Sequence, residues 1–214
     1  MTETPSVFYV VRHGESHGNV QNVIQGHMNS PLTEAGERQA AELARSLRGV
    51  SFDLAFSSDL IRAHRTAEIV ALEHQLAVNT NVLLREHNMG SAEGQDKERY
   101  REQNKELLER YEEASDLEKW AMKIPADSES DEETVVRLMT FLREAAVTYP
   151  GKTILVGTHG GVIRSLLVRL GYGTHAELPK GSVQNAGRVV VRTDGTDIEI
   201  VEVVGVTKNG PATV

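Results

Sequence analysis

An apolar run ends at Val10-Val11-Arg12-His13-Gly14-Glu15-Ser16, in an arginine and a histidine followed at once by glycine. A fixed cation beside an imidazole, on backbone that glycine frees to bend, composes an anion site with its own nucleophile. A second histidine-glycine pair, in Thr158-His159-Gly160-Gly161, closes another apolar run over 153–157. Two histidines therefore stand at matching strand-to-loop junctions. Each pair also has a plainer reading. Arg12 beside His13 suits ion-pair and loop chemistry, and the glycines after His159 suit a tight strand-to-helix turn.

The elements that must position these residues are written in the same stretches. Segments 6–11, 53–57 and 153–157 are short, apolar and partly β-branched, which predicts buried strands. Between them Ala40, Leu43, Ala44 and Leu47 recur at helical spacing after a Thr33 cap, and Val135, Leu138, Met139, Leu142 and Ala146 repeat the pattern. Alternating strands and helices predict an α/β three-layer sandwich, a mostly parallel central sheet with helices on both faces. Ligands in such folds bind beyond the carboxyl ends of the strands, where Arg12, His13, Ser57, Ser58 and His159 fall. Segments 188–192 and 198–204 flank Asp194-Gly195 and predict a late hairpin at a sheet edge, available for a homodimer, although composition leaves the oligomeric state open. The charged stretch 95–119 predicts an exposed helix followed by a loop through Pro125. We read 95–131 as a cap inserted in one domain spanning 1–214, with a frayed tail after Val206.

Composition removes several alternatives. The 214 residues contain no cysteine, so disulfides and thiol-based zinc or redox chemistry are excluded, and a reducing, cytoplasmic setting is expected. Residues 1–5 lack the basic and apolar regions of a signal peptide, and no apolar run approaches the roughly 18 residues that cross a bilayer. The net charge of -8 resides in 93–133, with 15 acids against 7 bases; the remainder balances at 16 each. Without a clustered basic surface, nucleic acid is not expected as a partner. His13 and His17 are four apart, but Gly14 and Gly18 oppose a helix that would aim both at one metal, so no metal is expected. His17, His64 and His87 are assigned to the rim or to solvent.

Five ordered blocks nonetheless carry a resemblance to the histidine phosphatase superfamily, also called the phosphoglycerate mutase-like family. The first is Arg12-His13-Gly14-Glu15-Ser16 with Asn19 and Gly26 downstream, leading into Ser30-Pro31-Leu32-Thr33-Glu34-Ala35-Gly36. The second runs from Ser57 to Ala67 and contains Arg62-Ala63 and Thr66-Ala67. The third is Leu84-Arg85-Glu86-His87-Asn88-Met89-Gly90 with Glu93-Gly94. The fourth is Glu129-Ser130 before a helix with Arg137, and the fifth is His159-Gly160-Gly161.

The resemblance implies a phosphatase for small phosphorylated metabolites that needs no cofactor. His13 is then the nucleophile and forms a phosphohistidine. Arg12 and Arg62 supply bidentate forks suited to a phosphoryl group, and His159 donates to an equatorial oxygen. Asn19, Gln25, Gly26 and Gly160 bind the substrate. Glu86 protonates the leaving alkoxide and then activates water, a role that starts from the protonated acid and predicts a mildly acidic optimum. A phosphoglycerate mutase is the alternative, opposed by the lack of an arginine pair between Gln95 and Pro125 and by the Gly90-Ser91-Ala92-Glu93-Gly94 stretch. A phospholigand-binding module without turnover ranks third, because every catalytic residue type is present. Asn29 and the pair His64-Arg65 depart from the family pattern.

Overall fold

The computed structural model describes residues 4–209. In chain order the elements are β1 (Ser6–Arg12), α1 (His17–Val20), α2 (Glu34–Ser46), β2 (Leu54–Ser57), α3 (Ile61–Leu72), β3 (Val78–Thr80), α4 (Lys97–Gln103), α5 (Lys105–Glu113), α6 (Asp116–Ala121), α7 (Asp131–Thr148), β4 (Thr153–Thr158), α8 (Gly160–Arg169), β5 (Val183–Thr193) and β6 (Ile198–Val206). Single 3-10 turns cover Val82–Leu84 and Gly90–Ala92. The sheet has six strands in the order β3-β2-β4-β1-β5-β6. Its first four are mutually parallel; β5 runs antiparallel to β1, and β6 antiparallel to β5.

Both faces of the central strands are covered, which is why they read as continuous apolar runs. Phe8 and Val10 turn toward α7 and α8, where Leu138, Leu142, Ile163 and Leu166 are fully buried. Tyr9 and Val11 turn the other way, onto Leu43 and Leu47 of α2 and Val70 of α3. The helices start where the caps direct: the Thr33 side chain accepts from Gly36 N, and Ser130 forms a reciprocal capping box with Glu133.

The structure corrects three expectations and adds one short strand. The single helix over 95–119 is three, because Asp96 and Ser115 cap new starts and the backbone breaks at Asn104. β3, with three residues, is too short to carry a period. The late hairpin begins at Val183 rather than 188. The tail is held through Asn209, whose N–H donates to the Glu177 carbonyl at 2.9 Å, as Thr207 N–H does to Ser182 at 2.9 Å; its remaining residues, 210–214, lie outside the described ones, as do 1–3. Among the described residues no helix is long and apolar enough to cross a membrane.

A buried polar cluster joins α6 to the sheet's helical cover. The His175 ring nitrogens lie 3.2 Å from Asp116 of α6 and 3.2 Å from Asp131 of α7, and Trp120 meets the same ring edge-on at 5.1 Å. Asp131 also accepts from Arg164 at 2.9 Å and Ser165 at 3.1 Å. Burial opposes the Asp131 charge, yet His175, His87 and Arg164 together hold its carboxyl far below the usual range.

Candidate active site

The register of β1 on β4 sets the two histidines side by side. Arg12 is paired with Thr158, so the next residue of each chain, His13 and His159, leaves the sheet at the same level. Their ring centroids are 5.2 Å apart at 63°. His13 is 3% exposed and His159 0%. The His13 Nδ1 lies 2.7 Å from the Gly14 carbonyl, which only accepts, so Nδ1 carries the proton and Nε2 of the neutral ring keeps its lone pair. Burial, followed by the Arg12 and Arg62 cations, pushes His13 well below its ordinary value, while burial and then Arg62 do the same to His159. Both imidazoles are neutral at pH 7 in this arrangement.

Two guanidiniums flank them. Arg62, in the first turn of α3 and 1% exposed, donates to the carbonyls of Met28 at 2.7 Å and Gly26 at 2.8 Å. Arg12 donates to the Val183 carbonyl. Burial lowers both, Arg62 to about 10, with Glu86 opposing the shift, and both remain cations at neutral pH. The Nε atoms of Arg12 and Arg62 and both His159 ring nitrogens are buried without a hydrogen-bond partner among the described residues. An unpaired buried polar group costs about 1–3 kcal/mol, and the two Nε–H groups with the one N–H of neutral His159 are three donors that fit an acceptor-rich anion such as a phosphoryl group.

Glu86 enters from the loop after β3. Its Oε1 accepts from His87 N at 2.9 Å and its Oε2 from Gly161 N at 3.2 Å. Behind it, the Glu86 carbonyl takes Arg137 Nη2 at 2.8 Å and His27 Nε2 at 2.8 Å. Arg137 in turn binds the carbonyls of Leu83 and Arg85 and both oxygens of Glu129. Glycines are required opposite by close approach: a Cβ on Gly160 would stand 3.0 Å from Arg12 Nε, and one on Gly161 2.6 Å from Glu86 Oε1. The Gly160 N–H is one of the N-terminal donors of α8 that have no partner inside the helix.

Asn19 has a fixed orientation. Its Oδ1 accepts from Ser16 N at 3.0 Å, closing the capping box of α1, and lies 3.4 Å from Asn185 Nδ2, which leaves its own Nδ2 free to donate. Gln25 and Gly26 stand behind this front: Gln25 Oε1 accepts from Ser16 Oγ at 2.9 Å, and the Gly26 carbonyl holds Arg62. Asn29, one of the departures, accepts from Ile61 N at 3.1 Å and so caps the helix that carries Arg62. His17 is exposed, and His64 pairs with Ser57 at 3.0 Å at the start of α3. His87 is half-buried: its Nε2 donates to the Glu129 carbonyl at 2.6 Å and its Nδ1 lies 3.6 Å from Asp131. Among the described residues no group of three or more His, Asp or Glu side chains is arranged to hold a metal ion. Asn185 is the contributor that sequence reasoning passed over; its only signal is a polar Asn-Ala-Gly just before an apolar run.

The chain is similar to known proteins over most of its length. Phosphoglycerate mutase-like protein 4 of Arabidopsis thaliana is 38% identical over 162 residues, 75% of this chain and 69% of that one. Uncharacterized phosphatase PhoE of Bacillus subtilis (strain 168) is 34% identical over 177 residues, 83% of each chain. The crystal structure of a phosphoglycerate mutase from Bacillus anthracis str. Sterne superposes with a TM-score of 0.80 at 26% identity, covering 95% of this chain and 94% of that one. The family model of the histidine phosphatase superfamily (branch 1) matches residues 8–204, from the first strand to the last, and the chain belongs to that superfamily.

Proposed function

We propose that the chain is a metal-independent phosphomonoesterase that works through a phosphohistidine on His13, with Glu86 as its acid and base. The observation that carries this reading is a neutral His13, its Nδ1 proton committed to Gly14, standing against His159 between buried Arg62 and half-buried Arg12. His13 Nε2 attacks phosphorus, the P–N bond forms, and the P–O bond to the alcohol breaks as Glu86 gives that oxygen its proton. Glu86 then takes a proton from water, whose oxygen attacks phosphorus and releases His13. Arg12, Arg62, His159, Asn19 and the Gly160 N–H hold the oxygens that carry charge in both displacements.

The substrate class is a small phosphorylated metabolite in the cytoplasm. Segment 95–131 acts as a cap on one domain, 1–214. Support comes from its ties to the site loop: Ile24 N–H donates to the Gln95 carbonyl at 2.9 Å, and Lys97 N–H to the Asn22 carbonyl at 2.9 Å. The test is phosphate release from p-nitrophenyl phosphate and a panel of metabolite phosphates in EDTA, wild type beside His13→Ala. EDTA-resistant turnover that falls at least about a thousandfold in the variant is expected. Turnover that survives His13→Ala overturns the mechanism. Interconversion of 2- and 3-phosphoglycerate primed by a bisphosphate, without phosphate release, assigns the mutase instead.

A further inference from the structure

β5 runs antiparallel to β1, so its first residues arrive at the carboxyl end of β1, where Arg12 and His13 sit. Pairing with β1 stops at Val11 and Arg188, and the register of β5 on β6 jumps between Val183 and Arg188. Residues 184–187 thus bulge from the ladder, over the catalytic loop. Four contacts join β5 to the catalytic loop. The Val183 carbonyl holds Arg12, Ala186 N–H donates to the His13 carbonyl at 3.3 Å, and Asn185 Nδ2 lies 3.2 Å from that same carbonyl and 3.4 Å from Asn19 Oδ1. Ala186 takes φ 57, a left-handed conformation that residues with a side chain rarely hold.

The Asn185 amide has two protons and two acceptors, the His13 carbonyl and Asn19 Oδ1. Without Asn185 the His13 carbonyl keeps the Ala186 N–H. Asn19 Oδ1 keeps the Ser16 N–H and Oγ at 3.0 Å each but loses its one donor from outside its own loop, and its amide is freer to turn over and set an oxygen where the nitrogen had been. An oxygen there repels an anion that the nitrogen would bind. We infer that Asn185 is a positioning residue, the bridge from the β5 bulge that keeps the Asn19 amide nitrogen toward the phosphoryl group. This rests on the phosphoryl-transfer reading of the site.

The test is a double-mutant cycle of Asn19→Ala and Asn185→Ala, read both as kcat/KM on p-nitrophenyl phosphate and as inorganic phosphate affinity by calorimetry. Asn185→Ala is expected to lose about tenfold in kcat/KM, and the double variant to match Asn19→Ala within about twofold, since a residue that acts through another adds nothing once that other is gone. Losses that multiply, or an Asn185→Ala with wild-type kcat/KM, overturn the inference. Asn185→Leu keeps nearly the same shape and removes the donors without adding a charge; it must reproduce the loss with an unchanged melting temperature, and it carries the test if the alanine variant fails to fold. A wild type that binds phosphate without turning over any ester overturns the proposed function, while the binding cycle still decides the role of Asn185. A wild type that neither binds phosphate nor turns over overturns both.

Discussion

His13 and His159 are held neutral by burial and by neighbouring arginines, which leaves His13 its lone pair and lets His159 take up charge only when an anion arrives. A bound phosphate dianion reverses the balance for His159 and favours its protonation. Phosphate binding near pH 6.5 is therefore expected to take up protons, and calorimetry in buffers of different ionisation enthalpy measures how many; a heat independent of buffer contradicts it. Gly161→Ala makes a second case at this scale, since its Cβ would stand 2.6 Å from Glu86 Oε1. The end of a glutamate can give way, so kcat is expected to fall about tenfold or more with the melting temperature within about 2 °C of wild type. An equal loss of stability and activity would show that the backbone, not the acid, had moved. Arg12, His13 and His159 were legible because each ends or follows an apolar run. Glu86 was legible only through its block, since nothing local reveals that Arg137, 51 residues away, fixes its carbonyl.

Elements with strong periods and caps matched expectation, and those without them did not. α7 was readable from Val135, Leu138, Leu142 and Ala146, and its start is set by Ser130, whose side chain accepts from Glu133 N at 3.1 Å. Ser130→Ala is expected to cost about 1 kcal/mol, a drop of about 2–4 °C in melting temperature, with kcat/KM nearly unchanged because the cap touches no reacting group. Differential scanning calorimetry checks the first half and initial rates the second. The charged stretch 95–119 hid its breaks, since Asn104 and Ser115 look like any polar residue on a solvated face. The bulge before Arg188 escaped for a different reason: alternation marks where a ladder is regular, and the residues that reach the site are those that leave it.

At the scale of the whole molecule, four parallel strands converge on one end of the sheet, and an antiparallel strand returns to brace them. The same burial that readies the histidines makes the fold sensitive to acid. His13 and His159 both lie below their ordinary value of 6.5 when folded, so the unfolded chain binds more protons beneath that pH, and stability falls as pH drops through it. The loss is at most about 1.4 kcal/mol per histidine per pH unit. Glu129 and Asp131 shift downward too, but as acids: their contribution is present above about pH 4.5 and is lost only in stronger acid. Melting temperature is thus expected to decline between pH 7 and 5, with His159→Asn flattening the decline, and a level profile over that range would refute it. The chain has a single tryptophan, and it is the one set edge-on against His175 where α6 meets the body. Any separation of the two would change the colour and yield of its emission, so the chain contains an unlabelled optical gauge of that junction.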